Sequence, residues 1–350
     1  MSATSESAVA NAPSAAADDK TLLRVENLAV DFATEHGWVN IIDSVSFSLK
    51  RGDTLGLVGE SGSGKSVTSL AIMGLIPTPP GRIRSGSITL DGRELLGAPE
   101  RDMQDIRGRE MAMIFQEPAT SLNPAFQVGD QVAEMVRRHM GASRKEAWAR
   151  AVDALGAVGI PDPARRAKAY PHEFSGGMRQ RVMIAMAISC EPKLLIADEP
   201  TTALDVTIQA QVLTLLHDLR DELDMALLLI THDLSVVAQV CDDVLVMYAG
   251  QMVERASAVD LYESPRHPYS EGLLVCMPQL APRSSHRLPS IPGSPPMPWA
   301  FPKCCRFHPR CPYADERCST GSTELVQLSK TRASRCLRVD ELKLNGGGAS

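Results

Sequence analysis

The sequence lacks three features that would assign the chain to a broad class of protein. It has no excess of positive charge: 36 lysines and arginines face 42 acidic residues, for a net charge of −6, so overall charge does not predict nucleic-acid binding. No apolar run approaches the roughly 18 residues of a membrane-spanning helix. The first twenty residues have neither the cationic start nor the long apolar stretch of a secretion signal. We therefore expect a disordered tail over residues 1–20 and a cytoplasmic protein.

Short apolar runs alternate with longer helix-compatible stretches over residues 21–261. This alternation is typical of repeated βαβ units and predicts an α/β fold, with a parallel sheet covered by helices. Between residues 128 and 190 strand-like runs disappear and helical patterns dominate, so we predict an inserted helical subdomain over about residues 117–192. The predicted core strands are Leu55–Val58, Met111–Phe115, Leu194–Ala197, Leu227–Ile230 and Val244–Met247.

Proline marks a change of architecture near residue 262. Twelve of the 24 prolines lie between Pro265 and Pro312, a density that regular helices or strands cannot carry. Residues 262–350 are therefore predicted to form a separate C-terminal extension. Five of the eight cysteines lie in the last fifty residues of this extension. In a reducing cytoplasm we expect these cysteines to be free thiols or metal ligands rather than disulfides.

The segment from Gly59 to Ser66 matches the phosphate-binding loop pattern at every position, and it follows a predicted strand and precedes a predicted helix. Its glycines allow backbone N–H groups to surround an anion, and the helix directs its positive end to the same place. Lys65 is predicted to reach the β- and γ-phosphates of ATP, and Ser66 to ligate Mg²⁺. The residues predicted to hold the nucleotide here are Ser61, Gly62, Ser63, Gly64, Lys65, Ser66 and Val67.

Two adjacent carboxylates, Asp198 and Glu199, follow the apolar run that ends at Ala197. Neighbouring residues of an extended chain point to opposite faces, so the two carboxylates need different partners. Asp198 suits the coordination shell of Mg²⁺, whereas Glu199 is placed to polarise the water that attacks the γ-phosphate.

A second anion site is predicted at Ser175, Gly176 and Gly177, which precede a helical run from Arg181 to Ser189. Paired glycines at the start of a helix expose backbone donors. This loop and the phosphate loop belong to different subdomains, so one nucleotide cannot easily use both within a single subunit. A head-to-tail dimer, in which this loop closes over the partner's γ-phosphate, is the simplest arrangement.

Together these motifs resemble the ATPase subunits of ATP-binding cassette (ABC) transporters over about residues 22–260. The resemblance implies an ATP-hydrolysing enzyme of the P-loop NTPase class, with an ABC-type core sheet and a helical subdomain that carries the signature. It also implies that Gln116 links the γ-phosphate and Mg²⁺ to the membrane subunits, that His232 contacts the γ-phosphate, and that Asp205 lies at the dimer contact. Phe32 is expected to stack on adenine, with Trp38 as the alternative.

Four further segments of the chain resemble the ATPases of dipeptide and oligopeptide importers within that family. The resemblance implies peptide uptake, a heterodimer with a second ATPase, two membrane permease subunits, an extracytoplasmic solute-binding protein and a peripheral position on the cytoplasmic face of the membrane. Alternatives are nickel or another small solute, or a soluble ABC ATPase without a transport role. The matching segments are Phe115–Pro124, Phe174–Ala187, His267–Tyr269 and Ile291–Gly293.

The spacing of the cysteines in the extension is not a general metal signature, because it lacks the close pairs of most zinc ribbons. In the importer subfamily that this chain resembles, the pattern around Phe307 and Arg310 is associated with a [4Fe–4S] cluster, and Cys₄ ligation is usual for such clusters. Zinc and unliganded thiols remain alternatives, and Cys304 is ambiguous. Arg306 and Arg310 are expected to offset the negative charge of the cluster. The predicted ligands are Cys305, Cys311, Cys318 and Cys336.

Overall fold

The computed structural model describes residues 20–116, 121–202, 204–277 and 289–347, so the predicted N-terminal tail lies almost wholly outside the described residues. In chain order the strands are β1 (Thr21–Thr34), β2 (Gly37–Lys50), β3 (Thr54–Val58), β4 (Gly81–Leu90), β5 (Arg93–Glu94), β6 (Met111–Ile114), β7 (Leu194–Asp198), β8 (Ala226–Thr231), β9 (Asp243–Tyr248), β10 (Gln251–Ser257), β11 (Val326–Gln327) and β12 (Ala333–Ser334). The α-helices are α1 (Lys65–Ile72), α2 (Glu100–Ile106), α3 (Val128–Met140), α4 (Arg144–Ala157), α5 (Pro163–Arg166), α6 (Gly176–Ile188), α7 (Val206–Leu223), α8 (Leu234–Val240), α9 (Ala258–Glu263), α10 (Pro268–Val275) and α11 (Glu316–Thr320).

The larger sheet has eight strands in the order β11-β12-β10-β9-β3-β8-β7-β6. Strands β9, β3, β8, β7 and β6 pair in parallel, with Leu57 of β3 opposite Ile230 of β8. Every residue of β3, β7 and β8 is buried, which explains why these strands read as continuous apolar runs. The predicted α/β fold is confirmed, and all five predicted core strands are present.

A second sheet, of four antiparallel strands in the order β2-β1-β4-β5, packs beside the first. No pattern in the sequence predicted this sheet. Its pairing between β1 and β2 contains several register shifts, including one between Val25 and Leu28. Such bulges interrupt the period-two alternation by which a half-buried strand is recognised.

Helices α3 to α6 follow strand β6 and precede strand β7 in the chain, and α3, α4 and α6 share one apolar core with the neighbouring face of the sheet. Helix α4 begins with a capping box in which the Ser143 hydroxyl accepts from the Glu146 N–H and the Glu146 carboxylate accepts from the Ser143 N–H. This reciprocal cap satisfies two N–H groups that have no partner within the helix. Across the described ranges, no helix combines the length and the apolar character that crossing a membrane requires.

The C-terminal extension continues the larger sheet. Strand β12 pairs with β10, where Ser334 lies opposite Glu254. The fully buried ring of Phe307 contacts Tyr248 at the end of β9 and Tyr269 at the start of α10, with centroid separations of 5.2 and 5.3 Å. The extension is thereby packed on the strand next to β3, the strand that leads into the phosphate loop.

Candidate active site

The phosphate loop connects the carboxyl end of β3 to the first turn of α1. Gly64 has a φ of +104°, and a Cβ atom there would lie 2.4 Å from Cδ1 of Ile42. Only glycine fits both the conformation and the space. The Ser63 hydroxyl is buried and has no hydrogen-bond partner among the described residues. A buried donor without a partner at the N-terminus of a helix fits a bound phosphate oxygen.

Lys65 is buried in this loop. Its Nζ atom donates to the carbonyl oxygens of Gly59 at 2.7 Å and Glu60 at 3.1 Å. Burial lowers the pKa of Lys65 from its ordinary value, while the nearby carboxylates of Glu199 and Asp198 oppose that shift. Among the described residues no carboxylate lies within ion-pair distance of Nζ, so its charge can interact with a phosphate.

Asp198, the last residue of β7, is buried and faces the start of α1. Its Oδ1 atom accepts a hydrogen bond from the Ser66 hydroxyl at 3.2 Å. Burial raises the pKa of Asp198, and the hydrogen bond from Ser66 opposes that rise. A carboxylate and a hydroxyl in contact are the hard oxygen donors that Mg²⁺ prefers.

Glu199 has partners from three segments of the chain. Its carboxylate accepts from the Thr202 hydroxyl at 2.8 Å and from Nε2 of Gln116 at 3.0 Å, and Nδ1 of His232 lies 3.3 Å away. Burial alone would raise the pKa of Glu199, but the Thr202 hydrogen bond and His232 lower it overall. The carboxylate is therefore held in its ionised form, as a general base requires.

Two family models match the chain: "ABC transporter" over residues 42–202, and "Oligopeptide/dipeptide transporter, C-terminal region" over residues 253–318. The oligopeptide transport ATP-binding protein OppD of Salmonella typhimurium is 52% identical over 92% of this chain and 95% of its own length. The dipeptide transport ATP-binding protein DppD of Escherichia coli is 50% identical over 90% of this chain and 96% of its own. The chain belongs to the ABC transporter family.

A solved fold agrees with this assignment. The dimeric bacterial ABC transporter cassette MJ0796 matches this ABC ATPase with a TM-score of 0.61 and 25% identity, over 68% of this chain and 99% of that one. The resemblance inferred from the motifs is confirmed, and with it the assignment of the chain as an ATPase.

The signature residues of this ABC ATPase lie at the start of α6. The Ser175 hydroxyl caps the helix by accepting from the Met178 N–H at 3.4 Å, and Gly176 and Gly177 are the first helical residues. The helix thus begins five residues before the predicted run at Arg181. No hydrogen bond or ion pair between described residues joins this segment to the phosphate loop. Asp205 caps α7, its carboxylate accepting from the Ile208 N–H at 3.0 Å.

The two candidates for stacking on adenine have different surroundings. Phe32 is half-buried and packs against the apolar core beneath the antiparallel sheet. Trp38 is 52% exposed, and the guanidinium of Arg82 lies 3.8 Å from the centre of its ring. Trp38 lines an open cavity together with Trp299 of the extension, whereas Phe32 does not line that cavity.

Four cysteines, Cys305, Cys311, Cys318 and Cys336, line one small cavity in the extension. Burial, with smaller contributions from neighbouring thiols, raises the pKa of Cys305 to about 11 and that of Cys311 to about 12. Within the part of the chain that the structure describes, no three His, Cys, Asp or Glu side chains are grouped around a single metal ion. The cysteines therefore converge without forming a ready single-ion site.

The two arginines that are expected to offset the negative charge of a cluster form ion pairs with carboxylates elsewhere. Arg310 forms an ion pair with Glu60 of the phosphate loop, with 2.6 Å between Nη1 and Oε2. Arg306 pairs with Asp43 at 2.7 Å and also donates to the Ala249 carbonyl. Both arginines already have carboxylate partners in the ATPase domain, so their charge is neutralised there.

Sequence reasoning missed three residues of the site. Thr202 contacts Glu199, and both Arg310 and Tyr269 contact Glu60. A Thr three residues after a predicted general base could have been tested as a donor. No local pattern relates Arg310 to Glu60, because 250 positions separate them.

Proposed function

We propose that this ATPase powers the import of dipeptides or oligopeptides across the cytoplasmic membrane, as a peripheral subunit on its cytoplasmic face. One observation carries the proposal: curated peptide-transport relatives match at about half identity over nine-tenths of this chain. The match of residues 253–318 to the C-terminal region of oligopeptide and dipeptide transporters supports the same substrate class.

We assign the hydrolytic roles from the contacts described above. Lys65 binds the β- and γ-phosphates, the loop residues from Ser61 to Val67 bind the rest of the triphosphate, and Glu199 accepts a proton from the attacking water. His232, whose Nδ1 atom lies 3.3 Å from the Glu199 carboxylate, would contact the γ-phosphate. The lowered pKa of Glu199 supports its role, because the base is ionised before the water arrives.

A magnesium ion fits the pocket between β7 and α1. Asp198, Ser66 and Gln116 would hold it, and the Ser66–Asp198 hydrogen bond already brings two oxygen ligands together. When bound, the ion offsets the negative charge that develops on the phosphates. Asp198 must be ionised to bind it, and the cation provides the counter-charge that its buried carboxylate lacks.

In this proposal a second subunit completes the nucleotide-binding site. Ser175, Gly176 and Gly177 lie at the start of a 13-residue helix whose first-turn N–H groups can bind the γ-phosphate of the partner's ATP. Asp205 lies at the start of the next long helix, close to the dimer contact. A heterodimer with a different ABC ATPase, two permease subunits and an extracytoplasmic solute-binding protein make up the importer.

We also propose a [4Fe–4S] cluster at Cys305, Cys311, Cys318 and Cys336. Four thiols that line one cavity fit Cys₄ ligation, and a cluster separates its ligand sulfurs further than a single ion does. When bound, the cluster would supply a cross-link between the four cysteines.

Uptake by the reconstituted complex tests the transport role. Proteoliposomes that contain this ATPase, its partner ATPase, the permeases and the binding protein should accumulate labelled dipeptide only when ATP is inside the compartment that the ATPases face. Nickel uptake without peptide uptake would contradict the substrate. ATP hydrolysis without any solute movement would contradict the transport role itself.

Metal analysis tests the cluster. Protein purified without oxygen should contain iron and acid-labile sulfide in equal amounts, close to four of each per chain if the site is full. The Cys318→Ser variant should lose most of both, whereas Cys190→Ser, which alters a buried cysteine far along the chain, should retain them. Zinc without iron in the wild-type protein would disprove the proposed cluster.

A further inference from the structure

Glu60, the second residue of the phosphate loop, is held by two residues from the C-terminal part of the chain. The Glu60 N–H donates to the hydroxyl oxygen of Tyr269 at 2.8 Å. The Glu60 carboxylate accepts two hydrogen bonds from Arg310, at 2.6 Å from Nη1 and 3.0 Å from Nη2. Backbone and side chain of one loop residue are thus both fixed from outside the ATPase domain.

Both holding residues are themselves fixed by their surroundings. Tyr269 is fully buried, and its ring packs 4.7 Å from that of Tyr248. Arg310 is 8% exposed, and its Nε atom donates to the Pro292 carbonyl at 2.9 Å. A bidentate arginine with a third hydrogen bond has little freedom to move. Glu60 therefore takes its position from the extension, and not the reverse.

Because Glu60 is negatively charged, its ion pair with Arg310 affects how the loop binds ATP. A carboxylate in a loop that binds a triphosphate repels the ligand, and the repulsion is strong where water is excluded. Arg310 offsets the charge of that carboxylate through the bidentate ion pair. The Glu60 carbonyl also accepts from Lys65 at 3.1 Å, so a displaced Glu60 would move the lysine that binds the phosphates.

We propose that Arg310 and Tyr269 are positioning residues for ATP binding, which act through Glu60 on the phosphate loop. Arg310 compensates the charge of the Glu60 carboxylate, and Tyr269 fixes its backbone N–H. Because Arg310 directly precedes Cys311, the cysteine-lined cavity and the phosphate loop are joined through a single residue.

The affinity for ATP tests this proposal. The full-length chain carrying Glu199→Gln, which cannot consume the nucleotide, is titrated with a fluorescent ATP analogue and Mg²⁺. Adding Arg310→Ala should raise the Kd about tenfold, the ratio that corresponds to about 1.4 kcal/mol and to the loss of a charged hydrogen bond. Adding Tyr269→Phe, which keeps the ring and removes the hydroxyl, should raise the Kd about threefold.

Rescue separates this role from a merely structural one. Adding Glu60→Gln to Arg310→Ala removes the uncompensated carboxylate and should return the Kd to within about threefold of the parent. The matched control is Arg317→Ala, because Arg317 also forms a bidentate ion pair within the extension, with Glu341, but does not contact the loop. That control should leave the Kd unchanged.

Two results would overturn the proposal: an unchanged Kd for Arg310→Ala, or a double variant that binds as weakly as Arg310→Ala alone. Circular dichroism verifies that each variant is folded. If Arg310→Ala does not fold, Arg310→Lys replaces it, which keeps the charge and loses the bidentate geometry. The Kd of Arg310→Lys should rise about threefold. If Arg310→Lys and Tyr269→Phe, tested as separate variants, both bind ATP with the affinity of the parent, the proposed role is equally refuted.

Discussion

The Nδ1 atom of His232 lies 3.3 Å from one carboxylate oxygen of Glu199, while the Thr202 hydroxyl donates to the other oxygen at 2.8 Å. Each carboxylate oxygen of the proposed general base therefore has its own contact. One comes from the loop that follows β7, and the other comes from the residue that follows β8. This arrangement determines which changes should affect the chemical step and which should affect only its pH dependence.

Replacing the base should separate binding from hydrolysis. Glu199→Gln keeps the size and hydrogen-bonding capacity of the side chain but cannot accept a proton, so we expect kcat to fall about 10²–10⁴-fold while ATP still binds. Phosphate release by the assembled ATPase dimer, with the partner's base also replaced, measures the effect. The control is Glu222→Gln on the exposed face of α7. Wild-type turnover by Glu199→Gln would contradict the assignment.

Removing the Thr202 hydroxyl should move the acid limb of the kcat–pH profile. The hydrogen bond from Thr202 lowers the pKa of Glu199, and the base must be ionised to act. Thr202→Val should therefore raise that pKa and shift the acid limb to higher pH, with little change at alkaline pH. Thr202→Ser restores the donor and should restore the wild-type profile. Identical profiles for the Val and Ser variants would show that this hydroxyl does not set the pKa.

Glu254 should make the protein less stable as the pH rises. Its carboxylate is fully buried in β10, where it accepts from the N–H groups of Arg266 and His267, and burial raises its pKa from 4.5 to about 7. Between those two values the unfolded chain has released the proton and the folded chain still holds it, so stability falls across this window.

Urea unfolding of wild type and Glu254→Gln at pH 5 and pH 8 measures this effect. The amide cannot ionise, so the loss of stability between the two pH values should be smaller in the variant than in the wild type. Glu222→Gln, at an exposed site, should follow the wild type. An equal loss in Glu254→Gln and wild type would mean that Glu254 is ionised in the folded protein at pH 5.

Truncating the Phe307 side chain should destabilise the folded protein. The ring is 2% exposed and packs against the rings of Tyr248, Tyr269 and His267. Phe307→Ala should lower the free energy of unfolding by about 3–5 kcal/mol, the usual cost of removing a buried phenyl ring. Trp299→Ala, at a 53% exposed aromatic of the same extension, should change it by less than about 0.5 kcal/mol. If Phe307→Ala and Trp299→Ala lower the free energy of unfolding equally, the packing around Phe307 contributes no more stability than an exposed site.

The central sheet and the phosphate loop could be predicted from the sequence, because short contiguous segments determine both. Buried parallel strands such as β3 and β8 are apolar at all but one position each, and the loop has a fixed eight-residue pattern. The antiparallel sheet could not be recognised in the same way, since the bulges near Val25 and Leu28 break its alternation. The pairing of Arg310 with Glu60 depends on the completed fold, and no periodicity or motif encodes it.

The ion pair between Glu60 and Arg310 also has a consequence for protein synthesis. The loop residue is translated 250 positions before the arginine that compensates it. A chain that has not yet been synthesised as far as Arg310 therefore lacks the ion-pair partner of Glu60. If Arg310 positions the phosphate loop as proposed, a chain truncated ahead of Arg310 should bind ATP more weakly than the full-length protein.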